Sequence, residues 1–291
     1  MQFVPFVFCD AACELLSWNS AKKIVDLSLI NPDYCTWGTA VEQIFKKRFN
    51  VLFSIGYADG GWKYHLRGLN RRILTFEELQ EIGRPRIRVK ILIIGGDHQR
   101  ARVSAPFHKL KTITTFLVPC IDDATLRIDD VAECPIHELS ELLAVLQNTL
   151  FQFTAMEINR YAQPIEAFLK GQLSVNHLER LTLRGEGWSA ELRSLLEQFM
   201  LLAPFRDVSI SREAFTFNMT FFKKLFWKRN FRGTSKLTAK FSLGDDELRE
   251  FEKDHLQQRI SAETFSWHTH FCVSVRFERK KEDQDEMVIQ K

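Results

Sequence analysis

Residues His137-Glu138-Leu139-Ser140-Glu141 come within one position of a zinc-protease signature. That chemistry needs two imidazoles one helical turn apart, with a glutamate as base beside the metal-bound water. Glu141 stands where the second imidazole is required, so the stretch reads as a helix start with acidic residues in its first turn. Cys134 and His137 have a spacing that metal ligands use, but no second pair of matching spacing completes a structural zinc site. His268 and His270 would share one strand face, and nothing joins them to the first pair.

Ile93-Ile94-Gly95-Gly96-Asp97 follows an apolar strand as phosphate loops do, but the full glycine pattern and the lysine of a nucleotide loop are missing. It reads as a turn. No nucleophile elbow or kinase motif set is present. Basic residues adjoin aromatic ones in Phe222–Phe231, which a nucleic-acid platform would share. An amphipathic helix with a charged outer face explains them more simply, and a formal net charge of +3 is too small to imply nucleic-acid binding. The sequence thus selects no catalytic residue, no metal site and no cofactor.

The elements that would carry any site announce themselves by repetition. Phe153–Ile158, Leu178–Leu183 and Phe205–Ile210 all read apolar-x-x-apolar-x-apolar, with starts 25 and then 27 residues apart. Each precedes a helix-like stretch. A period of this size points to stacked strand–helix units, as in leucine-rich repeats, which make binding surfaces more often than active sites. Ala124–Ile128 and Lys236–Leu243 read as weaker copies, placing the second apolar positions at Leu126, Met156, Leu181, Val208 and Phe241. Between them, Leu139, Leu142, Leu143 and Leu146 share a helical face, Pro164 opens a helix carrying Ala167, Phe168 and Leu169, and Ser189 caps Ala190–Leu202 with Leu192, Leu195, Leu196 and Phe199 inward. Phe221 to Phe226 and Asp245 to His255 mark two more helices.

Upstream, residues 5–48 read as three short helices: one opened by Pro5, one capped by Asn19 or Ser20, and one with Trp37, Val41, Ile44 and Phe45 on a face. Residues 50–118 change character. A hairpin turns at Ala58-Asp59-Gly60-Gly61, Thr75 and Glu78 form a capping box, and Gly83 and Pro85 close that helix. Arg86–Ile94 and Thr112–Val118 read as strands, as does Phe271–Phe277, and the charged residues after Glu278 read as a solvated tail.

The fold class is therefore mixed α/β: a small helical head (1–48), a β-rich connecting region (49–118), an irregular strand–helix solenoid (119–280) and a charged tail (281–291). Composition agrees, with 45% hydrophobic and 26% charged residues. Six scattered cysteines read as reduced thiols of a cytoplasmic or nuclear protein. No apolar run approaches the roughly 18 residues of a membrane span, and the apolar N-terminus, broken at Asp10, fits a signal peptide poorly.

The stretch VPFVFCDAACELLSWNSAKKIVDLSLINPDYCTW resembles an F-box, with Val4-Pro5 at its start, Leu15-Leu16 closing a hydrophobic helix, Ile24, Val25 and Leu29 in a second, and Trp37 at its end. Phe6 stands where that family has an acidic or polar residue, and Cys35-Thr36 where it has an arginine before the tryptophan. With AFLKGQLSVNHLERLTLRGEGW and ELRSLLEQFM, the chain resembles nematode F-box-like proteins with diverged C-terminal regions. The resemblance implies a head that docks on the small Skp adaptor of a cullin ubiquitin ligase, through Val4, Pro5, Leu15, Leu16, Ile24 and Val25. It implies a C-terminal region that captures a protein substrate. In the repeat strands the intervening residues face out. These are Arg127, Asp129, Glu157, Asn159, Thr182, Arg184, Ser209 and Ser211, whose charges of both signs suit a polar protein partner rather than a membrane or nucleic acid.

Overall fold

The computed structural model describes residues 8–9, 12, 18–30, 35–95, 103–147, 153–175, 177–203, 205–211, 213–218, 220–221, 224–225, 236–242, 257–259, 264–268, 274–280 and 284–290. They form a mixed α/β structure with seven helices and both parallel and antiparallel strand pairs. No described helix is long and apolar enough to cross a membrane. The chain forms two compact units, 1–153 and 154–291.

The first unit begins with helices α1 (Trp18–Ile30) and α2 (Cys35–Lys47). The expected cap at Asn19 or Ser20 is replaced by an earlier start, since the helix is already formed at Trp18. Strands β1 (Phe49–Ala58) and β2 (Gly61–Gly68) make the expected hairpin. Asp59 and Gly60 both take positive φ, 54° and 74°, the backbone that a two-residue turn between twisted strands requires. Next come β3 (Ile73–Leu74) and α3 (Phe76–Ile82). The capping box forms as expected: the Glu78 amide donates to Thr75 Oγ1 and the Thr75 amide to Glu78 Oε2. Strand β4 (Ile87–Ile94) lies parallel to β1. After β5 (Val103–Ser104) and α4 (Phe107–Leu117), β6 (Ile121–Ile128) lies parallel to β4, and α5 (Ile136–Gln147) packs on α4. The sheet order is β3-β2-β1-β4-β6, with β5 also on β2.

One expected strand is a helix. Thr112–Val118 reads as β because of its threonines, yet α4 runs to Leu117. Leu110, Ile113, Thr114 and Leu117 are its buried side, a spacing of 3, 1 and 3 residues that only a helix puts on one face. Thr112, Thr114 and Thr115 each donate their hydroxyl to the carbonyl four residues back, at 2.9, 2.9 and 2.8 Å. Those bonds let β-branched residues sit in a helix without an unpaired hydroxyl.

The second unit alternates β7 (Ala155–Ile158), α6 (Gln163–Ser174), β8 (Arg180–Leu183), α7 (Ala190–Leu202) and β9 (Asp207–Ile210). The three strands are parallel, and Met156, Leu181 and Val208 fall side by side, as do Ile158, Leu183 and Ile210. All six are buried. Ser189 caps α7 as expected, its Oγ accepting from the Leu192 amide at 3.2 Å. Leu192, Leu196 and Phe199 are buried, Leu195 half-buried, and Ala167 exposed beside buried Phe168 and Leu169.

Strands β10 (Thr216–Asn218) and β11 (Lys236–Ser242) follow. Strand β11 continues the parallel set, but Leu237 and not Phe241 aligns with Val208. Phe241 pairs instead with Phe217 of β10, and the position that matches Val208 lies four residues before it. Strands β12 (Gln257–Arg259), β13 (Thr264–His268), β14 (Ser274–Lys280) and β15 (Gln284–Gln290) are antiparallel, and β15 pairs with β11. The expected solvated tail is thus strand over 284–290, where Met287, Val288 and Ile289 supply β-favouring residues among the charges. The expected helix over 245–255 lies outside the described residues.

Candidate functional site

In the head, Cys9, Ala40 and Val41 are fully buried, and Ile24, Val25 and Trp37 pack against them. Phe8 meets the Trp37 ring edge-on at 6.2 Å. Gly38 allows α1 and α2 to approach closely, because a Cβ there would stand 2.6 Å from Ser28 Cβ. Ile24 and Val25, expected on the adaptor-binding surface, are half-buried and hold the head together. The apolar side chains that do face water are Leu27, Leu29 and Ile30 of α1, at 47, 81 and 82% exposure, with Phe8 at 59%. Helical period explains the division: residues 24, 25 and 28 share one side of α1, and 27 and 30 share another. Val4, Pro5, Leu15 and Leu16 lie outside the described residues.

In the second unit, register sets Glu157, Thr182 and Ser209 side by side on one sheet face, with Thr238 next in line. Glu157 is exposed, and Thr182 and Ser209 are half-buried. Asn159, Arg184 and Ser211 extend the row past the strand ends. The Arg184 amide donates to the Ile158 carbonyl at 2.8 Å and the Ser211 amide to that of Leu183 at 2.9 Å. Arg180 and Asp207 stand in register two residues before Thr182 and Ser209, so they share this face. They are missing from the expected row, although their parity in the repeated phrase marks them. Arg127 and Asp129 belong to the first unit and pair with each other at 2.8 Å.

The near-zinc motif is occupied by structure. Glu138 accepts the Trp62 indole N–H at 2.6 Å, and Glu141 accepts from Lys111 at 2.7 Å. That bond and the lysine charge hold Glu141 below the usual carboxylate range. Among the described residues no group of three or more His, Cys, Asp or Glu side chains could hold a metal ion. At the expected glycine turn, Gly95 has φ 78° and meets the Asp130 carbonyl, a close approach only glycine allows. Gly96 and Asp97 lie outside the described residues.

Cys9, Cys120 and Cys134 are buried free thiols. Burial pushes Cys120 up to about 11, and burial with the nearby Asp130, Glu133 and Glu138 pushes Cys134 to about 12. Neither forms a thiolate near neutrality. Iodoacetamide at pH 8 is therefore expected to label Cys120 and Cys134 about 100-fold more slowly in the native chain than in urea. Peptide mass mapping reads this directly, and equal rates would refute it.

In comparisons with known proteins, no family model, curated protein or solved structure matches this chain.

Proposed function

We propose that the chain is a non-enzymatic recognition subunit of a cullin-type ubiquitin ligase, its head docking on the Skp-type adaptor and its strand–helix units, an irregular leucine-rich-repeat-like solenoid, taking a protein substrate. The observation that carries this reading is the exposed apolar side of α1 formed by Leu27 and Ile30, with Leu29 exposed elsewhere on the same helix. Large apolar side chains exposed together on one side of a helix suit a partner's apolar surface. With Ile24 and Val25 turned inward, these residues take the contact role in the head. The row Glu157, Arg180, Thr182, Asp207 and Ser209 supports the second half, since hydroxyls and charges of both signs offer directional bonds to a polar protein surface. Such a subunit performs no chemistry. It raises the effective concentration of its substrate beside a ubiquitin-loaded enzyme.

The native chain should co-elute with the adaptor at micromolar concentration, and L27D/I30D should not, while keeping native circular dichroism. A native chain that never co-elutes sinks the ligase reading. A second reading, a free-standing interaction module, is favoured by the packing of Ile24 and Val25 on the chain's own Ala40 and Val41. It requires a folded chain indifferent to the adaptor.

A further inference from the structure

The basic, aromatic segment that follows β10 serves neither the head nor the strand row. Between Glu213 and Asp245 the chain has seven lysines and arginines and no carboxylate. With +3 for the whole chain and +7 here, everything else carries −4. From Phe221 to Arg232, five residues are aromatic and five cationic, with Leu225 and Asn230 the only others. A solvated face mixes both signs, whereas a block this one-sided suits an anionic surface.

The structure fixes one side of the segment. Residues 220–221 and 224–225 are helical, and Asn218 caps the start, its Oδ1 accepting from the Phe221 amide at 2.9 Å. Phe221 and Leu225, one helical turn apart, are buried, while Thr220 and Lys224 are exposed. Phe221 meets the Phe217 ring at 5.2 Å, and the Arg193 guanidinium lies 5.7 Å over Phe217. The core thus claims Phe221 and Leu225. One and two turns further along the same side the sequence has Lys228, Arg229 and Arg232, which a core does not accept. Helical spacing, at about 100° per residue, turns Phe226 and Trp227 away from that side and sets Phe222 and Phe231 beside them.

We propose that residues 222–232 dock the second unit on an anionic lipid surface. Phe222, Phe226, Trp227 and Phe231 enter the headgroup boundary, and the five cations between and after them meet the anionic headgroups. Aromatic rings favour that boundary, and clustered lysines and arginines are drawn to anionic leaflets. Their long stems let the charges stay at headgroup level beside the sunken rings. Such a contact is peripheral and needs no spanning helix. A protein groove that encloses a helix fits less well, since Phe221 and Leu225 already commit one side to the core. A nucleic-acid strand also fits less well, because neighbouring rings on a helix diverge and cannot stack successive bases. The head lies in the other unit, so this docking does not depend on the adaptor reading.

The test sediments the full chain with vesicles of phosphatidylcholine alone and with about 30% phosphatidylserine added. The chain is expected to pellet with the anionic vesicles, to stay in solution with the neutral ones, and to be released by about 0.5 M salt. K228Q/R229Q should weaken binding about 30-fold, through the loss of two charges at the surface. F226S/W227S should weaken it at least tenfold. Both leave Phe221 and Leu225 in place, and an unchanged melting temperature checks their folding. Should either fail to fold, K224Q, at an exposed position, carries the test with an expected loss of about fivefold. Equal binding to neutral and anionic vesicles overturns the proposal, as does native affinity in folded K228Q/R229Q or in K224Q. So does a chain that ignores both kinds of vesicle, including one that binds a single-stranded oligonucleotide or calcium-loaded calmodulin instead.

Discussion

Alanine at Glu166 is expected to destabilise the second unit by about 3 kcal/mol, the sum of lost charge-assisted bonds and an opened cap. Glu166 is 6% exposed on α6. One carboxylate oxygen accepts from the Ser189 hydroxyl and from Lys170 Nζ, the latter at 2.9 Å, and the other accepts from the Ser189 amide at 3.3 Å. Ser189 in turn caps α7. One buried carboxylate therefore ties α6 to the start of α7, and its removal strands the Ser189 hydroxyl and amide while Lys170 keeps its bond to Glu191 at 2.8 Å. A urea midpoint lowered at unchanged slope would show this, and a midpoint within about 0.5 kcal/mol of native would refute it.

The same tie gives the chain a pH signature. Burial alone would raise the Glu166 carboxyl, but the bonds from Ser189 and Lys170 overcome it and hold the group below its ordinary value. A group depressed in the folded state contributes stability that is complete above its unfolded value, about 4.3 for glutamate. That stability fades as pH falls through the lower folded value. Native chain should thus lose stability below about pH 5 more steeply than E166Q, in which that group no longer titrates. Parallel curves for the two proteins would show the carboxylate to be unlinked.

Asp122→Ala is the second large loss, about 3 kcal/mol in the first unit. The Arg88 and Asp122 side chains are 9% and 14% exposed, so the charges meet with little water between them. Truncation leaves the Lys90 bond in place, because that bond uses the Asp122 main-chain carbonyl. It takes the carboxylate from beside a buried guanidinium. Arg88→Met in the same chain should recover much of the loss, since an apolar pair costs less to bury than an unbalanced charge. Urea unfolding of the two singles and the double decides it, with strictly additive losses as the refuting result.

Capping signals at Ser189 and Thr75 held while the one read at Asn19 or Ser20 did not, and signals that depend on a distant partner were the least legible. Ser189 before Ala190–Leu202, and Thr75 with Glu78, each act within one helical turn, and both form as read. Leu139, Leu142, Leu143 and Leu146 are all buried because a 3.6-residue period survives any tertiary arrangement. Thr112–Val118 misled because β-propensity and helical period conflict there, and burial on one face decided for the helix. Phe241 misled because both it and Leu237 end apolar phrases, and only strand register chooses between them. For the candidate site, the outward parity of Thr182 and Ser209 was legible, but not the inward turn of Ile24 and Val25, which depends on where α2 lies. Glu166 and Ser189 are 23 residues apart, and Lys90 meets Asp122 across 32, distances over which sequence alone names no partner.

The short step between parallel strands has a consequence for synthesis. Strand β8 pairs with β7, and β9 with β8, across 25 and 27 residues, counted from Met156 to Leu181 to Val208. At a ribosomal rate of about 5–20 residues per second, each strand waits only a few seconds for its neighbour. Strand β11 fares differently. One edge meets β9 as it emerges, but the other waits for β15, residues 284–290, roughly 50 residues later. During that interval its free edge is the place where a nascent chain is open to wrong pairing.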